Sequence, residues 1–341
     1  MQLLKSSYQL YPIESQRDPF IDFLKGVAIL GVVWLHCMPF QGKMLAPLWC
    51  RMSVSFFILI QVFHAYRYGP SASIFPNLQK ISKRIILPMF IVTGILAIIH
   101  WQFCIVRYAG GIVQTLMNGG FGPGSYYPWI YVQFAFLLPF FRVIFLRLPL
   151  REAGGVFLLL SIILEIVSSC IEMPEWLWRI LCFRYVLLIW LGYDVVTNGI
   201  RISFKLLVLS IFSMAFISLM YYIHPNLSPL FIYNGWKIEH WPAYFYPTYL
   251  LLWLIRKMYD EIPERIKYMI SAMGRASYEI FLLQMFCFAL LTPTRINVFE
   301  IQRYNFLLFL FFAWTFSVGG GILWKKLNNA SKNNSRIKKQ S

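Results

Sequence analysis

The sequence predicts an all-α integral membrane protein with about ten transmembrane helices, and three observations carry that prediction. Of its 341 residues, 59% are hydrophobic and only 13% charged, with a mean hydropathy of +0.60, far from the composition of soluble domains. Apolar runs of about 17–22 residues, long enough to cross a bilayer, recur from one end to the other. The cations fall mainly in short segments between those runs, as membrane topology requires.

In chain order the runs place helices at about 20–40, 47–66, 85–106, 127–147, 155–172, 179–197, 204–223, 242–258, 272–292 and 304–324. The first follows a polar stretch, and no small-residue cleavage site follows it, so it reads as a retained span rather than a signal peptide. Ten spans bring both termini to one side. If that side is the cytoplasm, its segments hold 22 of the 31 lysines and arginines, from Lys5 and Arg17 through Lys80, Lys83 and Arg84 to the cluster beginning at Lys325. Eight, among them Arg51, Arg179 and Arg184, fall opposite. This asymmetry puts both termini in the cytoplasm. No hydrophilic block is large enough to fold alone, so residues 1–324 are expected to form one polytopic domain. Residues 325–341 read as a basic, disordered cytoplasmic tail. The net charge of +17 is explained by topology and points to membrane lipid rather than nucleic acid.

The first span, FIDFLKGVAILGVVWLHCMPF, carries Asp22, Lys25 and His36. Ionisable groups inside a span are costly and mark functional sites. At 100° per residue, Lys25 and His36 stand only about 20° apart around the helix and roughly 16 Å apart along it. Asp22 lies within about 60° of both. One helix face therefore presents a carboxylate, an ammonium and an imidazole. Lys25 has a simpler reading as a snorkelling residue, and Asp22 as a partner of the helix dipole. Glu165 and Arg184, at comparable depths, are expected to pair within the membrane.

Arg17-Asp18, then Asp22-Phe23-Leu24-Lys25-Gly26, then His36 resembles the opening of the membrane acyltransferase 3 family, an Arg/Lys-x10-His motif in the first helix. Further likenesses follow in order. They are Lys83-Arg84-Ile85-Ile86-Leu87-Pro88, then Gly122 to Trp129 running on to Gln133 and Pro139, then Gly274-Arg275-Ala276-Ser277-Tyr278-Glu279-Ile280-Phe281. Three features depart from the family's pattern. Phe56-Phe57 leads to Gln61 without the usual Ser-Gly, Lys80 with Lys83 and Arg84 stands for Arg-x-x-Arg, and Gln284 occupies a position that is often His.

The resemblance implies transfer of an acyl group, usually acetyl from acetyl-CoA, to a hydroxyl of a surface polysaccharide or its lipid-linked precursor, by a multi-pass protein of the inner (cytoplasmic) membrane. Acyl-CoA is then a donor substrate rather than a resident cofactor. A sugar hydroxyl is a poor nucleophile at neutral pH, and a positioned base contributes typically 10²–10⁴-fold. His36 is the expected general base or transient acyl carrier, with Lys25 and Asp22 beside it in the catalytic set. Lys80, Lys83 and Arg84 are the expected phosphate-binding group for CoA. Tyr126, Tyr127 and Trp129, in a glycine-rich outer segment, are the expected sugar contacts, and the aromatic loop from 224 to 247 is a second such surface. No metal-ligand cluster, P-loop or dinucleotide fingerprint appears in the sequence. The competing reading is a transporter or flippase for a lipid-linked glycan or small solute, although no internal repeat of the kind such folds show is evident.

Overall fold

The computed structural model describes residues 18–37, 48–67, 74–100, 124–223, 232, 239–291 and 311–340. Among them there is no strand. The helices are α1 (Pro19–Cys37), α2 (Ser53–Arg67), α3 (Ile74–Ile81), α4 (Leu87–His100), α5 (Tyr127–Arg147), α6 (Leu150–Cys170) and α7 (Glu175–Ile180). They continue with α8 (Val186–Asn198), α9 (Phe204–Ser218), α10 (Leu252–Glu261), α11 (Glu264–Arg275), α12 (Ser277–Leu291) and α13 (Gly320–Gln340). Where the apolar runs fall on described residues they are helical and in the expected order, with two breaks among those residues. The run at 179–197 is divided by a tight turn, Phe183–Tyr185, and the run at 272–292 becomes two helices that meet at Ala276.

Among the described residues, four stretches are long and apolar enough to cross a membrane: Pro19–His36, Tyr127–Arg147, Leu150–Cys170 and Phe204–Tyr222. Their burial ranks them. Within the protein lies 56% of the first, against 22% of the second and fourth. So α1 is the central helix, while α5 and α9 turn side chains such as Phe136, Phe140 and Phe212 outward, as an all-helical protein in hydrocarbon must. The fold is that of an all-helical membrane protein.

Local chemistry explains how α1 is set in place. Asp18 precedes Pro19, the favoured first helical residue, and its Oδ1 accepts from the Phe20 amide at 3.0 Å, the usual N-cap bond. Its other oxygen takes Arg67 of α2 at 2.8 Å, so the start of α1 is tied to the end of α2. Gly26 and Gly274 then let α1 and α11 cross with backbones in contact. A Cβ on Gly274 would overlap the Asp22 carbonyl, and one on Gly26 would overlap the Ile270 carbonyl. At the far end Gly31 faces the Ser53 hydroxyl at the start of α2. Two apolar clusters meet on this helix. Phe20, Leu24 and Ala28 belong to one, and Ile29 and Val33 to the other.

Between α3 and α4 the helix widens into a π-turn, Ser82–Ile86, two residues before Pro88, which has no N–H to give. The Tyr278 hydroxyl of α12 donates to the Ile85 carbonyl in this turn. At the other end of the chain, the residues from 325 onward, expected as a disordered tail, continue α13 as helix to Gln340. Lys325 pairs with Glu279 of α12 at 2.8 Å.

Candidate active site

One cavity of about 1130 Å³ is lined by residues from both ends of α1, Asp18 at one end and His36 at the other. Eighteen helical steps rise about 27 Å, close to the roughly 30 Å of a bilayer's hydrocarbon core. Asp22, Lys25 and His36 all face this space, so the polar seam expected from their spacing is a wall of the cavity.

The Asp18 end is ringed by Arg84 from the π-turn and by Arg275, Ser277 and Glu279 at the junction of α11 and α12. The two helices break at Ala276, which turns these polar groups inward. Of the three cations expected to hold the donor, only Arg84 lies on the cavity wall. Lys80 and Lys83 are exposed and are not among its lining residues.

Midway, the Lys25 ammonium lies 3.9 Å from Asp22 Oδ1 and 3.2 Å from Nε2 of His64 on α2. An ammonium can only donate, so Nε2 accepts and the ring carries its proton on Nδ1. His64 faces the cavity and is not among the residues the sequence points to. Its signal is a polar stripe, Gln61, His64 and Arg67, at three-residue spacing along an otherwise apolar helix. Gln61 also lines the cavity, and its amide donates to the Tyr131 carbonyl at 2.8 Å.

The His36 half holds Cys50, Arg51, Tyr126, Tyr127, Arg179 and Glu239. His36 leans on Phe288, with ring centroids 6.0 Å apart. Tyr126 is buried, with the Arg184 and Arg179 guanidinium groups over its ring at 5.0 and 5.4 Å. Burial, and then the nearby Glu239 carboxylate, raise the Tyr126 phenol well above its ordinary range, so it keeps its proton. Trp129 is not on the cavity wall and meets Phe90 edge-on at 6.1 Å.

The expected pairing of Glu165 with Arg184 does not form. Arg184 reaches Glu239 at 3.8 Å, and Tyr185 donates to the same carboxylate at 2.7 Å. Glu165 instead bonds His240 at 2.6 Å, behind the cavity wall. Both new partners come from the 224–247 loop, most of which lies outside the described residues. The turn carrying Arg179 and Arg184 is pinned by Gln133 of α5. It donates to the Ile180 carbonyl at 2.6 Å and accepts from the Cys182 amide at 3.1 Å.

No group of His, Cys, Asp and Glu among the described residues is arranged to hold a metal ion. No curated protein and no solved structure matches the chain. The family described as "Acyltransferase domain" matches residues 18–325, which takes in α1 to α12 and the first turns of α13. With that match spanning nearly the whole chain and the polar seam of α1 lining its cavity, this protein belongs to the acyltransferase 3 family of membrane acyltransferases.

Proposed function

We propose that this protein transfers an acyl group, acetyl in the simplest case, from cytoplasmic acyl-CoA to a hydroxyl of a cell-surface polysaccharide or its lipid-linked precursor. The observation that carries this reading is a continuous cavity lined from Asp18 to His36 along α1. Ten spans with both termini in the cytoplasm set the Asp18 end inside and the His36 end outside, in the cytoplasmic (inner) membrane. Residues 1–324 act as one membrane domain, and the basic stretch from Lys325 faces the cytoplasm.

In this reading Arg84 and Arg275 meet the CoA phosphates at the inner mouth, with Lys80 and Lys83 adding long-range attraction. Lys25, held by Asp22 and His64, marks the path of the acyl-bearing arm. Tyr126 and Tyr127 shape the outer end where the sugar docks, and Trp129 is left packing against Phe90 off the wall. At His36 the acceptor hydroxyl attacks the thioester carbonyl. The new C–O bond forms as the C–S bond breaks, the imidazole takes the hydroxyl proton, and that proton leaves with the CoA thiolate. In the alternative route His36 first carries the acyl group itself and then yields it to the hydroxyl.

The test compares the surface polysaccharide of a deletion strain with that of its parent by mass. The deletion loses an acyl increment, wild-type protein restores it, and His36→Ala, inserted at normal levels, does not. Normal acylation with His36→Ala removes that residue from the mechanism. Reconstituted protein that moves a glycan without consuming acyl-CoA replaces the whole reading with a transporter. An acyl-histidine trapped by rapid quenching separates the carrier from the base.

A further inference from the structure

A second cavity, of about 580 Å³, lies between α1, α2, α8 and α10, and its chemistry differs from that of the first. Ten of its fifteen lining residues are apolar, among them Leu24, Leu59, Val196 and Leu252, and two are glycines. The other three are Asp18, Arg67 and Arg256, and no uncharged polar side chain among the described residues lines it. Such a wall covers hydrocarbon well, but it offers a sugar or a nucleotide base too few hydrogen bonds to replace water.

The charges gather at one end. Asp18 precedes α1, Arg67 closes α2 and Gly199 follows α8, whereas Leu24, Leu59 and Gly192 lie six to eight residues further into those helices. Arg256 belongs to the charged end, because its guanidinium lies over the Phe20 ring at 4.8 Å. The cavity is thus an apolar slot roughly 10 Å deep with a charged mouth, a shape that suits an amphiphile. At that mouth Arg67 is bonded to Asp18 at 2.8 Å. Arg256 meets Asp260 at 3.5 Å in a solvent-exposed pair, a kind of contact that is worth little. A guanidinium has five N–H donors, so that contact leaves Arg256 with capacity for phosphate oxygens.

We propose that this second cavity holds an anionic phospholipid, with one acyl chain in the slot and the phosphate at Arg256. The orientation given above sets the mouth at the cytoplasmic leaflet, whose anionic headgroups attract cations placed there. The donor is a poorer occupant, because Arg256 and Val196 line this cavity and not the first. Asp18, Ile21 and Ile60 line both cavities, so the lipid chain backs the wall of the space along α1.

Native mass spectrometry of the full chain, delipidated in mild detergent, tests this with phosphatidylglycerol and phosphatidylcholine of the same acyl chains. The protein retains one phosphatidylglycerol, about fivefold more tightly than phosphatidylcholine, the weight of one cation near an anionic headgroup. Arg256→Gln lowers phosphatidylglycerol to the phosphatidylcholine level. Val196→Trp fills the slot and loses both lipids, whereas Leu254→Trp, on the exposed face of α10, loses neither. The Arg256 side chain is partly exposed, so Arg256→Gln keeps the fold and decides the matter even where Val196→Trp fails to insert. Equal retention of the two lipids by wild-type protein, or unchanged retention in Arg256→Gln, overturns the proposal. Displacement of phosphatidylglycerol by palmitoyl-CoA also overturns it, and gives the slot to a donor's chain. Binding is read without turnover, so this proposal and the transferase reading fail separately.

Discussion

Lys25 of α1 and His64 of α2 meet across the cavity at 3.2 Å, with Asp22 behind the lysine at 3.9 Å. An ammonium in this position has two stabilising partners from two helices, and the imidazole is held in one tautomer by the contact. The contact predicts that the pair acts as one unit.

Lys25→Met and His64→Leu are each expected to lower acyl transfer by about 10²-fold, the lower end for a positioned acid–base group. The double variant should be little worse than either single one, because both remove the same unit. His64→Gln, whose amide oxygen still accepts from Lys25, should retain more activity than His64→Leu. Turnover of acyl-CoA in proteoliposomes measures all four, and additive losses would show that the two residues act separately.

The Asp18 end of the cavity makes a sharper distinction than charge alone. Arg84 and Arg275 line the cavity, whereas Lys80 and Lys83 are not among its lining residues. Arg84→Gln and Arg275→Gln should each raise KM for acyl-CoA about tenfold, the loss of one charge-assisted phosphate contact of roughly 1.4 kcal/mol. Lys80→Gln and Lys83→Gln should shift it no more than about twofold. Equal effects from all four would mean that the mouth attracts CoA only through its overall field.

Close approach of α1 and α11 depends on two hydrogen atoms. Gly274→Ala puts a methyl group into the Asp22 carbonyl, and Gly26→Ala puts one into Ile270, so each should cost about 1–3 kcal/mol as an overpacked contact. A methyl group on Gly155 of α6 would meet nothing within 4 Å. Gly155→Ala should therefore be neutral or stabilise by about 0.5–1 kcal/mol, through helix propensity alone. Thermal unfolding of detergent-solubilised protein ranks the three, and a Gly274→Ala protein as stable as wild type would refute the crossing.

Glu165 and His240 are both buried and bonded to each other at 2.6 Å, away from the cavity wall. Removing one partner, as in His240→Leu, should destabilise the protein by about 3–5 kcal/mol by breaking a buried charge-assisted hydrogen bond. Replacing both by leucine should recover most of that loss. KM values for donor and acceptor in the double variant should stay near wild type. A change in KM without a change in stability would move this pair from scaffold to site.

Helical periodicity made the α1 seam legible, because Asp22, Lys25 and His36 share a face whatever surrounds it, and all three line the cavity. It also marked the apolar runs that became helices. Periodicity says nothing about which other helix looks at that face, and this is why His64 goes unnoticed until α2 is in place. The Glu165–Arg184 pairing failed for the same reason. Equal depth brings two charges to one level, but the 224–247 loop, unreadable by period, supplies a nearer partner for each. Lys80, Lys83 and Arg84 look equivalent as a charge run, yet the π-turn directs only the last of them to the wall.

Lys25 and Gly26 are neighbours in sequence, one on the cavity and the next at the backbone contact with α11. A rotation of α1 by one residue would swing the cation off its path and drive a side chain into the Ile270 carbonyl. A slide by one turn, about 5.4 Å, would lose both at once. In the proposed reaction the helix that carries the polar seam is thus the stator, and the donor's arm and the acceptor travel to meet at a fixed rail instead of being ferried by it.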